Sequence, residues 1–381
     1  MSQKHLLNNN AELYIGLMSG TSADGIDLAL VEFNDKSHVL HASFYQPYSP
    51  QLKQQIQSLY TPDDNELDRL AALDKQLAQH FASAVLAFLK QQQLNSHDIK
   101  AIGNHGQTIR HRPSQQHSFT CQIGCSQTLA VLTDIPVIGR FREKDMALGG
   151  QGAPLVPAYH NAMFRDKEKD VCIVNIGGIA NITYLGASDN SVIGFDTGPG
   201  NALLDDWYTR HYPKCAKGID EDAKWAKTGQ VNQHLLTVML QDSYFAKAFP
   251  KSTGREYFHD AWLQQFIDQE RYKDLAPADI QATLNALTSH SIADAIGHLN
   301  PESEVIIVGG GAHNPLLMTM LKQLLADANV QTGNQYGIDN DALEALIFAW
   351  LAYAFEHNLA SNLPSVTGAS RATTLGTLFT P

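Results

Sequence analysis

The 381-residue chain contains no stretch of about 18 apolar residues, so nothing in it reads as a membrane span. Its opening, MSQKHLLNNN, lacks the long apolar run and small-residue cleavage site of a signal peptide. The expectation is a cytoplasmic protein. No run of five basic residues occurs and the net charge is −12, which argues against a nucleic-acid surface and for solubility. The only four cysteines, Cys121, Cys125, Cys172 and Cys215, offer no disulfide framework where thiols stay reduced. Cys121 and Cys125 lack a second ligand pair at zinc-like spacing. The sixteen histidines include no HExxH. The phosphate loop GxxxxGK[ST] is absent too, which disfavours that kind of nucleotide site.

What remains is an ordinary globular composition, 44% apolar and 17% charged, long enough for two cores. Leu13 to Met18 reads as a strand, and Ile26 to Phe33 alternates apolar with polar, the period-2 mark of a half-buried strand. Residues 38–46 supply a third, so the chain opens as a β-meander. Leu67, Leu70, Leu73, Leu77, Phe81, Val85 and Phe88 recur at spacings of three and four, which predicts one long helix over 65–92. Ile99 to Gly103 is a short strand, 125–133 a helix and Pro136 to Ile138 a further strand. Gly149-Gly150-Gln151-Gly152-Ala153-Pro154 is the candidate joint between domains. A helix follows to Phe164. The second half repeats the layout: strands at 171–176, 179–185 and 192–195, helices through most of 200–300, a strand at 304–308, and an apolar helix from Asp341 to Tyr353. Alternating elements of this kind make layered α/β domains. The predicted division is 11–148 and 149–364, with a tail, 365–381, returning to the first domain.

Three Gly-rich loops sit at strand ends. Gly20-Thr21-Ser22-Ala23-Asp24-Gly25-Ile26-Asp27 offers backbone N–H groups, hydroxyls and two carboxylates. It suits a phosphate with a divalent cation, while the motif alone reads more readily as a plain hairpin turn. Gly194-Phe195-Asp196-Thr197-Gly198-Pro199-Gly200-Asn201 sets a carboxylate at a strand end, where it can serve as a general base or merely belong to a capped turn. Gly309-Gly310-Gly311-Ala312-His313-Asn314 has Asn314 where a dinucleotide fingerprint needs its third glycine. The positions about 20 residues on, Asn329, Val330 and Gln331, hold no acid, so NAD binding is disfavoured. Taken together, the loops supply what phosphoryl transfer needs: phosphate cradles, a metal and a positioned base.

MSGTSADGID, NHGQT, GGQGAPLVP, NIGGIANIT, GFDTGPGNALLDDW, PKSTGREYF, GGGAHNPLLM and NLPSVTGAS resemble, in order and from Met18 to Ser370, the signatures of the anhydro-N-acetylmuramic acid kinase family. The resemblance implies an α/β, two-domain actin-like (acetate kinase–hexokinase–actin) fold with an interdomain cleft. It implies ATP and Mg²⁺ as cofactors, and a homodimer. It also implies a reaction in which the 1,6-anhydro ring of anhydro-N-acetylmuramic acid is hydrolysed and O6 phosphorylated, giving N-acetylmuramic acid 6-phosphate and ADP, in peptidoglycan recycling and amino-sugar catabolism. The partners implied are thus the anhydro-amino-sugar and ATP, with neither nucleic acid nor membrane.

By that resemblance Asp196 is the base, acting on water. Gly20, Thr21, Ser22, Ala23, Asp24, Gly25, Ile26 and Asp27 wrap the phosphates, and Asp24 and Asp27 meet Mg²⁺ directly or through water. Gly309, Gly310 and Gly311 line the adenosine side. His105, Gln107 and Thr108 touch the sugar or its transferred group, Arg142 meets the lactyl carboxylate, and Glu344 belongs to the substrate site. Lys251-Ser252-Thr253-Gly254-Arg255 is recognisable but has no assigned chemistry. One departure stands out: the family tends to read Asp-Phe-Arg where this chain has Arg140-Phe141-Arg142-Glu143-Lys144, and Lys144 is not equivalent to an arginine toward a carboxylate. Two rival readings share the fold: a kinase for a free sugar hydroxyl, and a non-catalytic sugar or nucleotide sensor. The latter usually carries a DNA-binding module, for which only about ten residues precede the first strand.

Overall fold

A computed structural model describes residues 12–34, 37–188, 191–337, 339 and 342–381. The chain forms two compact units. One comprises the chain up to Met163 together with Ala342–Pro381, the other Phe164–Asp341. The first unit opens with β1 (Leu13–Ser19), β2 (Gly25–Asn34) and β3 (Ser37–Pro47) and continues with β4 (Ile99–Arg112), β5 (Phe119–Ile123) and β6 (Val137–Gly139). The second contains β7 (Val171–Ile176), β8 (Ile179–Leu185), β9 (Val192–Pro199), β10 (Glu304–Val308) and β11 (Asn329–Thr332). A last strand, β12 (Thr377–Phe379), rejoins the first unit by pairing antiparallel with β6.

The first sheet runs β12-β6-β4-β1-β2-β3 with β5 on β4, the second β11-β10-β7-β8-β9. In each, an antiparallel meander is extended beyond its first strand by parallel strands: β4 and β6 in one, β10 and β11 in the other. This is the doubled α/β layout expected of the actin-like fold.

β1 is buried on both faces, as a central strand between two helical layers must be. Ile15 and Leu17 join the cluster in which Leu77, Phe81 and Phe88 of helix Glu66–Gln92 pack. Tyr14 turns the other way, its ring 5.7 Å from that of Tyr353 on helix Leu343–Glu356. That helix is apolar around most of its girth because it lies across β1, β2 and β4. Its backbone comes so close that a Cβ on Gly16 would stand 1.7 Å from the Ala345 carbonyl oxygen, and one on Gly103 would stand 1.9 Å from that of Phe348.

The division differs from the expected one at both joints. Residues 149–163 stay with the first unit. Asp145, fully buried, accepts from Gly152 N–H (2.8 Å), Asn362 Nδ2 (2.8 Å) and Thr367 Oγ1 (2.8 Å), tying the Gly-rich segment to the C-terminal NLPSVTG. Tyr159 meets Trp350 edge-on at 5.8 Å. The crossing back falls before Leu343, earlier than 365, because the apolar helix belongs to the first sheet. β4 also outruns expectation: it reaches Arg112, so Asn104–Thr108 lie within a strand. In the second unit one core lies under the sheet against helices Pro277–Leu299 and Pro315–Leu324. Another gathers Trp207, Met239, Tyr244, Phe258 and Trp262 between helices.

Candidate active site

In the first unit the turn between β1 and β2 is braced from below. Ala23 N–H closes on the Gly20 carbonyl (3.1 Å), with Ala23 buried at a φ of 52°. Gln107, fully buried on β4, accepts from Ser19 Oγ (2.6 Å) and donates to the Gly20 carbonyl (3.0 Å) and Tyr60 Oη (3.2 Å). Tyr60 Oη donates to the Thr21 carbonyl at 2.8 Å. Ile26 points into the core, so only its backbone faces the turn. Thr108 Oγ1 accepts from Gln122 on β5 (3.2 Å).

Asp24 pairs with Lys53, whose ammonium holds that carboxyl below its usual pKa against a smaller effect of burial. The Tyr45 hydroxyl is pushed up by desolvation and then by the negative charges of both Asp24 and Asp27, so the two carboxylates converge on one neighbourhood. Two carboxylates beside a turn of backbone amides fit Mg²⁺, which takes few protein ligands and completes its octahedron with phosphate and water. Among the described residues no cluster of three metal-ligating side chains occurs.

A second group in the same unit centres on Arg142. Its Nη1 donates to the Gly152 carbonyl (2.9 Å) and its Nη2 to His105 Nε2 (3.0 Å), while its Nε is buried without a partner. Burial drives the His105 pKa down to about 3, and the guanidinium adds to the effect, so the imidazole is neutral and accepts. Glu344, in the first turn of its helix, keeps solvent access. Desolvation by surrounding protein still raises its pKa, with Arg142 opposing. Lys144 donates instead to the Thr374 carbonyl (2.7 Å).

In the second unit Asp196 sits near the end of β9, half-buried. Its Oδ2 accepts from Ser252 Oγ (2.9 Å) and Thr253 N–H (2.9 Å). Its own N–H donates to the Lys251 carbonyl (2.9 Å), and its carbonyl accepts from Tyr244 Oη (2.7 Å). Among the described residues nothing bonds Oδ1. Desolvation raises the carboxyl's pKa; the Thr253 and Ser252 bonds lower it, and the Glu256 charge raises it again.

Gly310 borders a concavity of about 230 Å³ shared with Asn201, Asp205, Gln281, His313 and Asn314. Gly309 and Gly311 instead give room to Asn175 and Ile176, each within 2.3 Å of where a Cβ would stand. The lining is rich in acceptors: Gln281 Oε1 is buried and unpartnered, and burial, then the Asp206 charge, lift Asp205 to about 7 against the pull of Arg255.

A sequence model of the anhydro-N-acetylmuramic acid kinase family matches residues 12–381. The chain belongs to the anhydro-N-acetylmuramic acid kinase family. It is 54% identical to the protein of that name from Colwellia psychrerythraea, over 97% of each chain, and 46% identical to that from Pasteurella multocida, over 96% of each. Among solved structures, component A of the (R)-2-hydroxyglutaryl-CoA dehydratase of Acidaminococcus fermentans shares 12% identity at a TM-score of 0.43, covering 90% of this chain and 99% of that one.

For this member of the family, the first unit brings together Arg142, His105 and Glu344, and separately the phosphate-loop candidates with Gln107. Gln107 has both ends of its amide committed to the turn, and Gly309 and Gly311 serve packing more than approach. Sequence reading left out Ser252, Thr253, Asp205 and Gln281. The KSTGR motif was visible, but its partner Asp196 lies 56 residues from Ser252, and no local pattern spans that distance.

Proposed function

We propose that the chain is an ATP-dependent kinase that opens the 1,6-anhydro ring of 1,6-anhydro-N-acetylmuramic acid and phosphorylates O6, yielding N-acetylmuramic acid 6-phosphate and ADP. The observation that carries the mechanism is Asp196, held by one oxygen and open at the other. O6 is bonded to the anomeric carbon and has no proton to give up. A water therefore attacks that carbon and loses a proton to Asp196 Oδ1. The bond from the carbon to O6 breaks, O6 takes the γ-phosphoryl group, and ADP departs. A carboxylate whose pKa is raised by desolvation is a better base for water than an exposed aspartate.

The turn Gly20–Asp27 holds the phosphates with its backbone amides. Asp24 and Asp27 would carry Mg²⁺, which when bound neutralises phosphate charge. Arg142 receives the lactyl carboxylate, with Glu344 and His105 around it. Thr108, three residues beyond His105 on the same strand, is assigned to the sugar. Gly310 borders the nucleoside side, where Asp205 and Gln281 Oε1 accept from hydroxyl or amino groups. Because ATP is the phosphoryl donor, the reaction belongs in the cytoplasm, where it feeds wall recycling.

The test is ADP release with ATP, Mg²⁺ and the anhydro-sugar, run beside N-acetylmuramic acid and glucose. Turnover with the anhydro-sugar alone is expected, with solvent oxygen-18 entering at the anomeric carbon. Asp196→Asn should lose about 10²–10⁴-fold. Turnover of a free sugar, without label at the anomeric carbon, would replace this reading with that of an ordinary sugar kinase.

A further inference from the structure

The motif that the reaction leaves unused is Lys251–Glu256. Its backbone and side chains close on Asp196 from one side. The Lys251 carbonyl takes the Asp196 N–H (2.9 Å), Ser252 Oγ and Thr253 N–H both reach Oδ2 at 2.9 Å, and Tyr244 Oη anchors the Asp196 carbonyl at 2.7 Å. Backbone and one carboxylate oxygen are thus fixed together, which removes rotation about the Cβ–Cγ bond and leaves a single oxygen open. A carboxylate free to spin would present either oxygen, at any angle, to the water. Pinning one confines the reacting lone pair to one direction, the kind of orientation that a general base requires.

We propose that Ser252 and Thr253 are positioning residues for the ring-opening step: they pin Oδ2 of Asp196 so that Oδ1 alone takes the proton of the attacking water. The proposal rests on the kinase reading above. Glu256 completes the arrangement by placing a like charge near the carboxylate. The other charged or titratable groups that face Asp196 are Tyr244, bonded to its carbonyl, and Lys251. The Lys251 ammonium is turned away onto the carbonyls of Tyr244 (3.2 Å) and Phe245 (3.0 Å) and stacks on the Tyr244 ring at 4.8 Å. Neither supplies a cation to Oδ1.

Two side chains on one short segment should then move the acid limb of the pH–rate profile in opposite directions. Ser252→Ala removes a hydrogen bond to the ionised form. The limb should rise by about one pH unit, kcat/KM for the anhydro-sugar should fall about tenfold at neutral pH, and KM for ATP should stay the same. Ser252→Thr, which keeps the hydroxyl, should restore both. Glu256→Gln removes the like charge, so the limb should move to lower pH. Glu256 is exposed, so this variant folds even if Ser252→Ala does not. The same opposite shifts should appear without turnover, in the Asp196 carboxyl-carbon resonance of the protein alone. An unchanged limb in Ser252→Ala, or shifts of the same sign in both variants, overturns the proposal. A wild type that releases no ADP overturns the kinase reading while the resonance still judges the clamp.

Discussion

Arg142 keeps its charge in surroundings that give it only neutral partners at hydrogen-bond range, the Gly152 carbonyl and the His105 ring. Desolvation lowers its pKa, and only the Glu344 charge works to raise it. A guanidinium so placed has a strong demand for an anion, and a carboxylate can meet it with two parallel bonds. Lys144, two residues on, is already taken up by Thr374. The sequence named both and favoured Arg142. It could not show that Lys144 is engaged, because Thr374 lies 230 residues away and only the folded tail brings it there. Arg142→Lys should lower kcat/KM for the anhydro-sugar about tenfold to a hundredfold, the worth of a charged hydrogen bond. Lys144→Ala should stay near wild type. Steady-state kinetics at saturating ATP decides, and equal losses in both variants would remove Arg142 from its assigned place.

At the scale of elements, the strands and the long helices were legible because each carries its period in its own residues. The period-2 reading of Ile26 to Phe33 marked β2, although the strand is buried on both faces from Leu28 to Val31 rather than half-buried. The three-and-four spacing of Leu70, Leu73, Leu77, Phe81, Val85 and Phe88 marked the helix now bounded as Glu66–Gln92, with Leu67 exposed. What was not legible is how elements meet. Gly16 and Gly103 sit in strands where glycine is normally a weakness, and only the helix crossing them explains why they are tolerated. Gly103→Ala would drive a methyl group to 1.9 Å from the Phe348 carbonyl oxygen. Backbone faces it, so the helix must move. The variant should lose about 3 kcal/mol or more of stability and, by shifting Glu344, raise KM for the sugar. Gly297, in helix Pro277–Leu299, has nothing within 4 Å of its missing Cβ. Gly297→Ala should instead gain about 0.5–1 kcal/mol. Urea titration of the two variants reads opposite signs, and a stable Gly103→Ala would mean that the helix does not lie where the structure has it.

For the whole molecule, the two units should answer acid differently. Among the described residues the first holds four histidines with lowered pKa values, His80, His105, His111 and His160, all through burial first. For His105 and His160 the value falls to about 3, against about 6.5 in the unfolded chain. Between those values the unfolded state binds more protons than the folded one, so stability rises with pH and is lost on acidification. From pH 7 to pH 5 each of these two buried rings should cost about 2 kcal/mol, with Glu344 opposing as one group against two. In the second unit the balance is reversed, although His211, its pKa lowered by burial and then by the Arg210 charge, works as the histidines of the first unit do. Asp205, lifted to about 7, binds its proton in the folded state first, and acidification over the same window should stabilise that unit by about 2 kcal/mol. Asp196 acts in the same direction. Amide hydrogen exchange, corrected for intrinsic rates, should therefore show protection falling in the first unit and holding or rising in the second between pH 7 and pH 5. His160→Asn should remove about half of the loss in the first unit, and Asp205→Asn should remove most of the gain in the second, leaving the part due to Asp196. Parallel changes in both units would mean that the buried imidazoles and the raised carboxyl do not govern stability in this range.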